Sequence, residues 1–250
     1  MDYKIEGDNL QVLRIFLKPG EEVYAEAGKM VYKTDNVNMD TKMQGGSLGE
    51  KIWGAVKRKI AGESLFTTHF TLKTGNKGEV GFAGDYPGRI QAIDVSSGAF
   101  LAQKDAFIAA EKSVNFSIAF QKKIGAGLFG GEGFILEKFS GNGLVFIHAG
   151  GDFITFELKE GETMQIDTGS VVGFEESVSY DIQFVGGIKT AIFGGEGLFL
   201  TTVKGPGKVI LQSMTLSKLR RELGLYAAKP GGGKATGLGA VLDILSGSND

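Results

Sequence analysis

A pentapeptide that occurs twice constrains this chain more than any other feature. Phe129-Gly130-Gly131-Glu132-Gly133 returns as Phe193-Gly194-Gly195-Glu196-Gly197, at an offset of 64 residues, and Ala61-Gly62-Glu63-Ser64 is a degenerate third copy upstream. The likeness extends over residues 124–147 and 188–211, through Ile124/Ile188, Leu136/Leu200, Gly141/Gly205, Gly143/Gly207 and Val145/Val209. Self-similarity at a fixed offset decides architecture before any local signal does.

Two fainter elements keep step with it. Val23–Asp40, Phe100–Ser117 and Met164–Asp181 align without gaps, sharing Val37/Val114/Val178. They hold large apolar residues at Met30/Phe107/Val171 and at Met39/Phe116/Tyr180. A third element covers Gly78–Ser97 and Gly143–Gly161, with partial copies at residues 1–20 and Gly207–Leu216. The chain holds 40 glycines against four prolines, set between short Val/Ile/Phe-rich runs, which points to an all-β fold of short strands and tight turns. The expected architecture is three repeated antiparallel β units, about 21–97, 98–161 and 162–216. The terminal strands 1–20 and Gly207–Leu216 would jointly complete one unit and close a pseudo-threefold ring, since closure removes open sheet edges. Residues 1–219 then form one β domain and 220–250 the end of a helix and a flexible tail.

The first unit alone carries an insertion. Within 48–60, Ile52, Val56 and Ile60 recur at helical spacing beside Trp53, while Lys51, Lys57, Arg58 and Lys59 make the segment basic. A short helix is expected there, either capping an open end of the ring or meeting a partner. A second short helix is expected from Ser217, read as its N-cap, through Leu223. Pro230–Gly233 reads as a linker, and Ala240–Leu245 as a terminal helical turn.

The Gly-Gly-Glu-Gly repeats, Gly28-Lys29-Met30, the basic insertion before Ala61 and the stretch Phe82-Ala83-Gly84-Asp85-Tyr86-Pro87-Gly88 together resemble the "altered inheritance of mitochondria, number twenty-four" family, in its prokaryotic branch. The resemblance covers about residues 1–220. It implies a β-prism like the tryptophan RNA-binding attenuation protein. It also implies a link to inner-membrane organisation in the mitochondrial branch, and it supplies no catalytic residues.

Motif chemistry is sparse. Gly125-Ala126-Gly127-Leu128-Phe129-Gly130 matches a dinucleotide pattern, but Phe134–Phe139 after it reads as strand where such a site needs a helix. Gly233-Lys234 is followed by Ala235, which ends any phosphate-loop reading. Glu63, Glu132 and Glu196 stand at matching positions and together could hold a hard cation; service to their own glycine turns is the favoured reading. His69 and His148, the chain's two histidines, lack ligand-spaced partners and are expected to be strand residues with local hydrogen bonds. No Gly-x-Ser-x-Gly elbow appears, and the chain has no cysteine.

The expectation is therefore a non-catalytic structural or interaction scaffold with no cofactor. Its contact surface would be Lys51, Trp53, Lys57, Arg58 and Lys59, meeting a protein partner or an anionic membrane surface, with homo-oligomerisation also open. RNA or single-stranded nucleic-acid binding is the alternative by fold analogy, and a net charge of −2 argues against it. A small-ligand or cation sensor is a remoter alternative. The start Met1–Glu6 lacks a signal-peptide pattern and no apolar run is long enough to span a bilayer, so a cytoplasmic location is expected.

Overall fold

In a computed structural model of the chain, the structure describes residues 1–43, 66–122, 133–184 and 199–224. These residues form nineteen strands and one α-helix. The strands fall into a leading strand and three runs of six. β1 is Asp2–Glu6. The first run is β2 (Val12–Leu17), β3 (Glu22–Glu26), β4 (Met30–Lys33), β5 (Val37–Met43), β6 (Phe66–Leu72) and β7 (Gly78–Ala83). The second is β8 (Gly88–Asp94), β9 (Phe100–Gln103), β10 (Phe107–Glu111), β11 (Val114–Lys122), β12 (Phe134–Gly141) and β13 (Leu144–Gly150). The third is β14 (Phe153–Leu158), β15 (Thr163–Asp167), β16 (Val171–Glu175), β17 (Ser179–Phe184), β18 (Phe199–Lys204) and β19 (Gly207–Gln212). Helix α1 follows at Leu216–Glu222.

Four antiparallel sheets result, and none closes on itself. One six-stranded sheet has the order β5-β6-β3-β10-β13-β8, and the other, β11-β12-β9-β16-β19-β14, is the same order with every strand number advanced by six. A four-stranded sheet, β1-β2-β7-β4, and a three-stranded one, β15-β18-β17, complete the set. Successive runs are joined where β3 pairs with β10 and β9 with β16. The terminal strands do not share a unit as the sequence suggests. β2 pairs with β1 and β7, and β19 with β14 and β16, so each end is completed within its own run.

The sequence explains which strands lie inside. In β2, Leu13, Ile15 and Leu17 alternate with Val12, Arg14 and Phe16 and are fully buried, the pattern of a strand covered on one face. β10 reads Phe107-Ile108-Ala109-Ala110 and is buried on both faces, as expected for a central strand between two cores. β4, β10 and β16 each carry a register shift at the same place, Met30/Tyr32, Phe107/Ala109 and Val171/Gly173. A bulge there turns side chains that strict alternation would keep on one face.

Three cores separate the four sheets. Leu13, Ile15 and Phe82 meet Phe70, Ile108 and Phe146 in the first; Phe107 and Ile147 meet Phe100, Phe139 and Ile210 in the second; Leu136, Phe174 and Val209 meet Ile166 and Val203 in the third. Val37, Val114 and Val178 are buried in one core each. Met39 departs from the pattern of its counterparts, being exposed where Phe116 and Tyr180 pack inward. Each fully buried Phe or Leu contributes about 1.5–3 kcal/mol over its exposed state, so the apolar pattern rather than any one contact holds the sheets together.

The cap of helix α1 lies two residues before the expected one. Thr215 is the N-cap, its Oγ1 accepting from Lys218 N at 3.1 Å, while Ser217 sits in the first turn with its hydroxyl 2.9 Å from that of Thr215. The insertion 48–60, the linker at Pro230 and the turn at Ala240–Leu245 lie outside the described residues.

Candidate functional site

Ionisable side chains, several of them buried, gather where the β3–β4 turn, the β7–β8 loop, and strands β12 and β13 approach one another. Lys29 occupies the β3–β4 turn, which is pinned when Ala83 N donates to Lys29 O at 3.0 Å. Only 5% of its surface is exposed, and its ammonium group ion-pairs with Asp85 and lies 3.4 Å from Glu26 Oε2. Burying an ammonium group is tolerable only with such partners.

The stretch Phe82–Gly88 is built around His148 of β13. A side chain at Gly84 would place its Cβ 2.3 Å from the His148 ring, and one at Gly88 would lie 1.9 Å from Ala149 O, so both positions need glycine for this close approach. Tyr86 meets the imidazole edge-on, with ring centroids 5.0 Å apart. Its hydroxyl donates to Gln212 Oε1 at 3.3 Å; the same oxygen accepts from Gly150 N, and Gln212 Nε2 donates to Gly169 O. Burial, with the Lys29 charge, pulls the His148 pKa down to about 4, so the ring is neutral at physiological pH. Burial pushes Tyr86 up to about 12.

Glu137 of β12, opposite Ala102 of β9, completes the cluster and is 6% exposed. Burial first, then the Glu26 charge, drives its pKa well above the carboxylate range, against the opposing pull of Lys104 and Lys29. Burial likewise raises Glu26, with Lys29 and Lys104 pulling the other way. Among the described residues, Glu26 Oε2 and Glu137 Oε2 are buried oxygens that receive no hydrogen bond. Chemically, the two acids favour holding a proton inside the fold. In the third run the positions of Lys104 and Glu137 carry Thr168 and Thr201, whose hydroxyls lie 2.9 Å apart. The third run thus carries no charge at these two positions. No group of three or more acidic or histidine side chains suited to a metal ion occurs among the described residues.

A second knot holds His69. Glu22 of β3 draws together Lys112 at 2.8 Å, Lys42 at 3.1 Å and His69 Nδ1 at 2.7 Å. Burial pushes the Glu22 carboxyl up, but bonds from Lys112, His69 and Lys42 outweigh it and hold the pKa at about 2. Both histidines are therefore strand residues with local partners, as their sequence settings suggest.

Glu63, Glu132 and Glu196 lie outside the described residues, as do Lys51, Trp53, Lys57, Arg58 and Lys59. The glycine motif Gly125–Gly130 is outside them too, but β12 begins at Phe134, a strand where a dinucleotide site requires a helix.

The family model described as "Mitochondrial biogenesis AIM24" matches residues 3–214. The chain belongs to the AIM24 family. An uncharacterised protein of Streptococcus pyogenes serotype M6 is 33% identical over 219 residues, 86% of each chain. The crystal structure of a Streptococcus pyogenes protein is similar at a TM-score of 0.74 with 28% identity, covering 90% of this chain and 99% of that one. Within this AIM24 chain the Phe82–Gly88 stretch and Lys29 carried part of the family resemblance, and the fold places both in one cluster. Glu137 gave a weaker signal, an acid interrupting the apolar run Phe134-Ile135-Leu136, where the 64-residue offset has Thr201.

Proposed function

We propose that this AIM24 chain is a non-catalytic interaction scaffold. Its three six-stranded runs would stand around a pseudo-threefold axis as a β-prism like that of the tryptophan RNA-binding attenuation protein. Pairing between the runs, β3 with β10 and β9 with β16, supports that arrangement. The observation that carries the non-catalytic reading is the use made of the two histidines. His148 is walled in by Tyr86 and glycine backbone, and His69 is tied to Glu22, so each serves the fold.

A protein partner or an anionic membrane surface would then be met by the basic segment Lys51, Trp53, Lys57, Arg58 and Lys59, proposed from its sequence alone. Among the described residues, no helix is long and apolar enough to cross a membrane. The test compares the wild-type chain with a Lys57→Glu/Arg58→Glu/Lys59→Glu variant, by co-sedimentation with phosphatidylserine vesicles and by affinity capture from the source cell. Loss of vesicle binding or of specific partners in the variant is expected; identical behaviour of the two proteins would remove that segment from the contact surface.

A further inference from the structure

In the first run the edge of the sheet is already taken. β1 lies antiparallel on β2, with Lys4 opposite Arg14 and Asp2 opposite Phe16. Beyond Asp2, Met1 enters a cavity of about 500 Å³ whose lining includes Gly20, Glu22, Glu111 and Lys112, and its amino nitrogen lies 3.2 Å from Glu111 Oε1.

One run further on, no strand among the described residues fills the same place. β8 stands in its sheet as β2 does, and Glu175 ends β16 before Glu176 and Ser177 as Glu111 ends β10 before Lys112 and Ser113. Glu111 and Glu175 even share a structural duty, accepting from Leu144 N and Lys208 N at the two hairpins. Between β8 and that turn lies a cavity of about 600 Å³, lined along one side by Gln91–Asp94 and on the other by Glu175, Glu176 and Lys208. β8 ends its sheet, with no strand among the described residues on its outer side.

The hydrogen-bonding direction of that edge is fixed by its beginning. Gly88 N donates to Asn9 O at 2.6 Å and Ile90 N to Gln11 Oε1 at 2.7 Å, both away from β13. Main-chain groups in an antiparallel strand alternate in direction, so those of Ala92 and Asp94 also point outward, toward the cavity. Their counterparts in β2, Arg14 and Phe16, are the residues that face Lys4 and Asp2 of β1. The wall is acidic: Asp94, Glu175 and Glu176 stand against Lys208, with Lys138 paired to Glu176. Carboxylates therefore outnumber ammonium groups even when Lys138 is counted.

We propose that the β8 edge accepts an extended, positively charged segment of a partner protein as an added strand. Ala92 and Asp94 supply the main-chain hydrogen bonds, and Glu175 receives a cationic nitrogen. This rests on the reading of the chain as an interaction scaffold and names a surface for it separate from residues 51–59. Strand addition draws affinity from main-chain bonds and selectivity from alternate side chains, so charge and an open edge suffice to define the partner's chemistry.

The test uses the full chain and a synthetic peptide of about eight alternating valine and lysine residues, long enough for one strand. Amide exchange at Ala92 and Asp94 is expected to slow by at least about tenfold with saturating peptide, the sign of new hydrogen bonds. Ala92→Pro removes an outward donor and leaves the β13 side of the ladder intact, so it should weaken binding by about tenfold or more. A valine–glutamate peptide should not bind. Unchanged exchange at Ala92 and Asp94, or equal binding of the glutamate peptide, would overturn the proposal; the wild-type measurement decides this even if the proline variant fails to fold. Vesicle or partner binding that persists after such a result would leave the scaffold reading standing without this edge.

Discussion

Glu137 enters the fold as an acid whose charged form the surroundings oppose, because it leaves water and has Glu26 beside it. Its ordinary unfolded pKa is about 4.3, and the folded value is higher, so the folded state binds the proton more tightly. The contribution to stability is full below the unfolded value and is lost as pH rises through the folded one. Glu137→Gln keeps the shape and removes the ionisation. It should therefore stabilise the protein at about pH 8 by roughly 1–3 kcal/mol and change little at about pH 4, as urea unfolding at both pH values would read. A larger loss of stability at the higher pH would mean that Lys104 and Lys29 hold the group ionised. His148 has the opposite sign. Its folded pKa of about 4 lies below the unfolded value, so its contribution is full above about pH 6.5 and is lost as pH falls toward 4. An NMR titration should find the His148 ring neutral down to about pH 5, and a midpoint near its ordinary value of about 6.5 would contradict its burial between Tyr86 and the glycine backbone. The sequence anticipates both histidines as strand residues, from their missing ligand-spaced neighbours. It did not reveal Glu137 and Glu26 as a pair, because only the folding of β12 toward the β3–β4 turn makes them neighbours.

At the scale of elements, strands were legible and their partners were not. Gly78–Ser97 is a single repeated element in the sequence, yet its two strands lie in different sheets. β7 pairs with β2 and β4, and β8 with β13, because the glycine-lined approach to His148 carries the chain from one sheet to another. Pairing of this kind is decided by burial on both faces and leaves no local mark. The cap of α1 shows the same limit. Thr215 and Ser217 are both good caps by residue type. The choice is made upstream, where Ser213 N donates to Asp152 O and Met214 N to Gly150 O, so the chain is held to the sheet until Thr215. Thr215→Ala should cost about 1 kcal/mol and speed amide exchange within α1 while leaving the strands protected. Equal effects from Ser217→Ala would place the cap where the sequence alone suggests.

The whole molecule holds four sheets among its described residues, and no run of six strands stands by itself. Each six-stranded sheet takes β-strands from two consecutive runs, so breaking one run strips hydrogen-bonding partners and apolar cover from the next. Cooperative unfolding should follow, despite three separate cores. Val37, Val114 and Val178 offer a matched probe, since they hold the same place in the repeat and each is almost fully buried in a different core. Truncating each to alanine removes similar apolar volume and should cost about 2 kcal/mol at every site, lowering one calorimetric transition without splitting it. If one variant melted in two steps, its core would be a separate folding unit, and the joint between runs at β3–β10 or β9–β16 would be too weak to couple them. A single transition with unequal costs would instead report how far each core collapses around the missing methyl groups, which depends on local packing and not on the repeat.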